Sequence, residues 1–232
     1  QLIDYAGGSA FGDYIESIPD KTVFTEKAGV NSVILDSVAD AKSVFGNLAF
    51  AASLYSGQMC TAPQNVFVPA SGIVTSEGHL SFDEVVTGIA ESIKGLVENP
   101  KMGPFTLGAI QNDITKNRIL STLENKHVAL APIDVMNPEF ADTRVLSPSV
   151  VVVNASDVDS WQHECFGPIL FIVKTADSNE SLKLTAASAK NKGAITCQCY
   201  TTNESYMNEV ENSMNAEFTP VSFNFVGAAF VN

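Results

Sequence analysis

Cys60 stands in the stretch SLYSGQMCTAPQNVFVP, residues 53–69, after a Gly-Gln-Met step and ahead of a strand-like run. Gly57 gives the backbone freedom to turn there, and a thiol held on such a turn can be reached by a substrate and can attack an electrophilic carbon. Taken alone, the stretch fits a small buried hydrophobe just as well, because that is what a free cysteine usually is. Two acids change the balance. Glu26 closes the strand-like KTVFTE, and a carboxylate where a strand of a parallel sheet finishes could take a proton from the thiol or from water. Glu164 lies in WQHECFGPILFIV, residues 161–173, two positions before Phe166 and just ahead of a Gly-Pro turn. An aromatic ring and an acid at the head of a strand can hold a flat, sugar-linked ligand. Either glutamate by itself reads most simply as a solvated surface acid.

Short β-branched or aromatic runs alternate with longer helical ones, the pattern of an α/β fold with a mostly parallel sheet flanked by helices. KTVFTE, NSVILD and NVFVP read as strands, with a helix from Asp36 to about Tyr55 between the second and third. Ser81 and Glu84 form a capping box for SFDEVVTGIAESIKGLVENP, which Pro100 closes. Further helices are expected over Asp113–Asn125, Ser178–Lys192 and Glu204–Met214. HVALAP and SPSVVVV read as buried strands, followed by PILFIVKT, AITCQCY, VSFNF and AAFVN. Residues 70–80, ASGIVTSEGHL, read as an exposed loop.

The 232 residues are 45% apolar, enough for a real core. Thirteen basic residues against 26 acidic ones give a net charge of −13, which argues against nucleic acid and anionic membranes as partners. There is no signal peptide or membrane-length apolar run, and no initiator Met, so a cytoplasmic protein and a piece of a longer chain are the expectations. Cys60, Cys165, Cys197 and Cys199 are too few and too irregular for a disulfide framework, and no ligand set for a metal accompanies them. Cys165, Cys197 and Cys199 read as core thiols.

Together, EKAG (26–29), GQMC (57–60) and ECFGP (164–168) resemble the aldehyde dehydrogenase superfamily: an acid at a strand end, a Gly-Gln-x-Cys loop and a Glu-x-Phe-Gly-Pro motif, in that order. YAGGSAFG ahead of them resembles the family's cofactor-facing glycine turn, with Gly7 and Gly12 matching its two glycines. SLYSGQMCTAPQNVFVP and EGHLSFDEV look most like the phenylacetate-degradation branch. Asn232 lines up with an asparagine late in the family's catalytic domain.

The resemblance implies NAD(P)-dependent oxidation of a small-molecule aldehyde, with NAD or NADP as cofactor. Cys60 would be the nucleophile, forming a thiohemiacetal and then a thioester, and Glu26 the base. Gly7, Gly12, Glu164 and Phe166 would bind cofactor, and the Cys60 amide would be one oxyanion donor. It also implies that residues 1–25 are the end of a Rossmann-like cofactor domain and residues 26–232 the catalytic domain without its tail. The full-length protein would be a homo-oligomer, and this chain alone weak or inactive. Lys27-Ala28-Gly29-Val30 replaces the family's Leu-Gly-Gly-Lys, and Gly8 replaces a serine. Two other readings stand beside this one: a Cys60–His163 hydrolase or acyltransferase, and a noncatalytic domain that keeps the fold.

Overall fold

The structure is a computed structural model and describes residues 1–227. The expected strand AAFVN (228–232), with Asn232, lies outside them. The elements run β1 (Leu2–Ala6), α1 (Ser9–Glu16), β2 (Thr22–Glu26), β3 (Ser32–Leu35), β4 (Ser37–Val38), α2 (Ala41–Ser53), β5 (Asn65–Pro69), β6 (Ile73–Thr75), β7 (Gly78–Leu80) and α3 (Phe82–Val97). They continue with α4 (Gly103–Thr106), α5 (Asp113–Thr122), β8 (His127–Leu130), β9 (Ser149–Asn154), α6 (Val158–Trp161), β10 (Ile169–Thr175), α7 (Ser178–Lys192), β11 (Cys197–Tyr200), α8 (Glu204–Ala216) and β12 (Val221–Phe223).

Seven strands form one sheet in the order β12-β11-β3-β5-β10-β9-β8, parallel throughout except for β8, which runs antiparallel to β9. Its central strands read as continuous apolar runs because helices cover both faces. Side chains alternate between those faces: Val33 and Leu35 pack with Val66, Val68, Leu170 and Ile172 against α2 and α3. Ile34 points the other way, with Cys197 and Cys199, onto α7 and α8. Both cysteines are thus core residues, as their strand period implies. Cys165 is buried in a third cluster beside Trp161 and Ile119.

Three expectations are corrected. The helix after NSVILD begins at Ala41, not Asp36, because Asp40 is its N-cap and accepts from the Ser43 amide at 3.2 Å. The Asp36 carboxylate is instead taken by the hydroxyls of Ser37, Ser178 and Thr201. Residues 70–80 are no loop but a β6–β7 hairpin that buries Ile73 in the main core. β8 is a partly exposed edge strand rather than a buried one. The capping box of α3 is present as read, and α7 ends at Gly193, whose φ of 78° suits glycine. No helix among the described residues is long and apolar enough to cross a membrane.

β1 and β2 pair in parallel as a separate two-stranded sheet, joined by α1. Lys27, just past β2, holds α1 by ion pairs to Asp13 at 2.8 Å and Glu16 at 2.9 Å, and Thr25 donates to the Glu16 carboxylate. These charge-assisted bonds lower the Glu16 pKa and raise that of Lys27.

Candidate active site

The loops carrying Cys60 and Glu164 leave the seven-stranded sheet at the amino ends of its strands: Cys60 precedes β5, and Glu164 precedes β10. The rule that parallel sheets gather ligands at carboxyl ends holds only for the small sheet, where Gly7 follows β1 and Glu26 ends β2. The carboxyl ends of β1 and β2 face the amino ends of the large sheet across a cleft of about 410 Å³.

Cys60, Glu26, Glu164, Phe166 and Gly7 all line this cleft. The Cys60 thiol is exposed. Its pKa is raised by partial desolvation, then by the negative charge of the Glu26 carboxylate and a hydrogen bond to it. The carboxylate that holds the thiol's proton is also a group that can accept it in place of solvent. Glu164 is also pushed up, by desolvation first, while the Gly29 amide, 3.3 Å from its Oε1, and the nearby Arg118 work against this.

Gly12 does not line the cleft. It lies buried in α1 against the Lys27 stem, where a Cβ would come 2.7 Å from Cγ and Cδ, so it fixes the approach of α1 to β2. His163 lines a neighbouring hollow with Ser9, Asn191 and Lys192, and the acid bearing on the Cys60 thiol is Glu26. The cleft thus brings together the thiol and the two acids, not a thiol and an imidazole.

A lattice of buried amides holds the two loops, and none of its members was picked out from the sequence. Asn31 is 5% exposed; its Nδ2 donates to the carbonyls of Cys60 (2.6 Å) and Ala62 (3.1 Å), and its Oδ1 accepts from the amides of Ile195 (3.0 Å) and Thr196 (3.2 Å). Gln64 donates to Trp161 O (3.2 Å) and His163 O (2.9 Å) and accepts from Cys165 N (2.7 Å), so it ties the Glu164 loop to the start of β5. Arg118 on α5, another cleft residue, donates to Phe166 O at 2.5 Å. The only sequence signal was polar amides abutting apolar strands, as in APQNVFVP.

Between α2 and Cys60 the chain makes a left-handed turn: φ is 51° at Tyr55, 54° at Ser56 and 63° at Gly57. Left-handed backbone costs roughly 1–2 kcal/mol at each residue bearing a Cβ. Gly57 has a second reason to be glycine, since a Cβ there would sit 2.5 Å from Gly167 O.

The residues present fit a dinucleotide in the cleft. Gly7 and Gly8 open α1 with no side-chain hydrogen bond capping its first amides, Tyr5 Oη donating to Gly8 O at 3.0 Å, and a Cβ on Gly8 would meet nothing within 4 Å. That is the kind of helix start that accepts phosphate. Phe166 offers an apolar ring and Glu164 a carboxylate acceptor on the same cleft.

The sequence profile of the aldehyde dehydrogenase family matches residues 1–226. Among curated proteins, vanillin dehydrogenase of Corynebacterium glutamicum is 25% identical over 194 residues, which is 81% of this chain and 38% of that protein. A probable mitochondrial acylating methylmalonate-semialdehyde/malonate-semialdehyde dehydrogenase of Caenorhabditis elegans is 24% identical over 221 residues, 91% of this chain and 40% of that one. Among solved structures, an NAD-dependent aldehyde dehydrogenase from Burkholderia multivorans superposes with a TM-score of 0.96 at 38% identity, covering 99% of this chain and 41% of its own. The chain therefore spans about two fifths of the length of these relatives.

Proposed function

The chain belongs to the aldehyde dehydrogenase family, and from that premise we propose that it is the catalytic portion of an NAD(P)-dependent enzyme oxidising an aldehyde to an acid. The observation that carries this reading is that Cys60 and Glu26 share one cleft, with the carboxylate acting on the thiol.

Glu26 takes the Cys60 proton, and the sulfur adds to the aldehyde carbon, leaving an oxyanion for which the Cys60 amide is a donor. The dinucleotide, when bound, supplies the hydride acceptor that turns this adduct into a thioester. Glu26, having passed its first proton to solvent, removes one from water; the hydroxide attacks the thioester carbonyl, and the C–S bond breaks to release acid and regenerate the thiolate. Glu164 and Phe166 orient the ribose end of the dinucleotide, Gly7 leaves the α1 start open to its pyrophosphate, and Gly12 sets α1 in place.

The finer reading is an aromatic aldehyde in phenylacetate-type catabolism, in a cytoplasmic homo-oligomer; it rests on the resemblance of GQMCTAPQNVFVP and is in keeping with a relative named for vanillin. We assign residues 1–25 to the end of a cofactor-binding domain and 26–232 to the catalytic domain, and expect the isolated chain to be weak or inactive. The test is NAD(P)H formation from benzaldehyde-class substrates by the full-length protein. Cys60→Ala should lose about 10³-fold or more of kcat. Glu26→Gln should give one burst of reduced cofactor and then stall as thioester. Undiminished turnover by Cys60→Ala would refute the assignment.

A further inference from the structure

We propose that Ser56 is a positioning residue for Cys60: its buried hydroxyl locks the left-handed turn at Tyr55–Gly57 and thereby sets where the thiol stands in the cleft. The inference rests on the reading of Cys60 as nucleophile and goes beyond it by naming what fixes the nucleophile's place.

Tyr55 and Ser56 both carry a Cβ in the left-handed region, with ψ of 32° and 43°. Two such residues in succession do not form by local preference, so surrounding structure must over-determine them. Ser56 is fully buried, and its Oγ lies 2.9 Å from Gly108 O and 2.9 Å from Leu146 O while accepting from Gly108 N at 3.2 Å. One hydroxyl proton serves two carbonyls and the lone pairs serve an amide, so the oxygen is saturated by partners from two separate segments.

Gln58 extends the same clamp, donating to Ala109 O at 2.9 Å and accepting from Gln111 N at 3.0 Å. Backbone closes in on both sides: a Cβ on Gly108 would meet Tyr55 Cα at 3.1 Å, and Gly57 abuts Gly167. The turn is therefore wedged between the α4–α5 connection and the turn into β10. Cys60 follows Ser56 by four residues, so a change in the turn's handedness redirects the chain that delivers the sulfur.

The test is the pH dependence of Cys60 alkylation by iodoacetamide, with labelling of Cys197 and Cys199 as the measure of folding. Wild-type Cys60 should titrate above an ordinary thiol because it is partly desolvated in the cleft and because Glu26 stands beside it. Ser56→Ala keeps the Cβ and loses the lock. Its Cys60 midpoint should fall toward the ordinary thiol value as the sulfur leaves the carboxylate, with Cys197 and Cys199 still protected. Ser56→Gly also loses the hydroxyl, but glycine adopts the left-handed turn without penalty, so its midpoint should move less. An unmoved midpoint in Ser56→Ala, or an equal fall in both variants, overturns the inference. If Ser56→Ala exposes Cys197 and Cys199, Ser56→Gly decides alone: a partial fall supports the lock and no fall overturns it. A wild-type Cys60 that titrates like a free thiol would instead remove the Cys60–Glu26 pairing, and with it the proposed function as well as this inference.

Discussion

Asn31 Nδ2 lies 2.6 Å from the carbonyl oxygen of Cys60, while the Oδ1 of the same amide receives the amides of Ile195 and Thr196. One side chain at the amino end of β3 thus joins the Cys60 loop to the entry of β11, and all four of its hydrogen bonds are made to backbone. Backbone groups have no side-chain identity, so the side-chain part of this connection rests on the amide of residue 31.

Asn31→Ala leaves two carbonyls and two amides short of partners and should destabilise the fold by about 2–4 kcal/mol. Asn31→Asp retains the two accepted bonds but sets a carboxylate against the carbonyls of Cys60 and Ala62, so it should disturb Cys60 more for the same retained volume. Urea unfolding gives the first quantity and Cys60 alkylation kinetics the second; an Asn31→Asp variant with wild-type kinetics would show that the amide does not hold the loop.

Gln64 plays the matching part for the Glu164 loop. Gln64→Glu should cost about 3 kcal/mol or more, because a buried charge replaces the donor to the Trp161 and His163 carbonyls. In the full-length protein the cofactor KM should rise more than the aldehyde KM. Equal rises in the two would argue that Gln64 stabilises without orienting Glu164.

The Cys60 pKa is raised by partial burial and by the Glu26 charge. Removing that charge with Glu26→Gln lowers it, so at pH 7–8 the variant should alkylate faster than wild type even as the proposed thioester hydrolysis fails. The alkylation midpoint of the two proteins measured over pH 6–11 checks this, and coincident midpoints would separate the acid from the thiol.

Cys197 is buried in the core and its pKa is pushed up to about 12; Cys199 is raised too, by burial first. Each keeps its proton in the native state and releases it on unfolding once the pH passes the ordinary thiol value of about 8.5. Their contribution is therefore complete below pH of about 8 and declines as pH rises toward 12. Tm should fall steeply above pH 9, and Cys197→Ala should flatten that fall; an unchanged slope would assign the loss to other groups.

Gly57→Ala should be among the most damaging single methyl additions in the chain. The new Cβ combines a φ of 63° with a 2.5 Å approach to Gly167 O, and the two together should cost about 3 kcal/mol or more. Thermal unfolding measures it, and a loss under 1 kcal/mol would mean that the two turns can separate.

Much of the framework was legible in the residues themselves. β5, β9 and β10 are continuous apolar runs that only a sheet covered on both faces can bury, and α3 and α7 carry their own caps. Cys60, Glu26, Glu164 and Phe166 could be named because their local motifs are short and ordered. β1 escaped notice because LIDYA alternates between exposed and half-buried positions and pairs with only one strand.

What tertiary structure decided is which residues hold the motifs in place. Asn31, Gln64 and Ser56 look in sequence like ordinary loop polar residues. Their partners are backbone groups 29 to 165 positions away for Asn31, 97 to 101 for Gln64, and 52 and 90 for Ser56. A backbone carbonyl carries no mark of its partner in the residue type. Local composition can therefore specify strands, helices and a candidate thiol, while the hydrogen bonds that hold the loop carrying it exist only once the chain has folded.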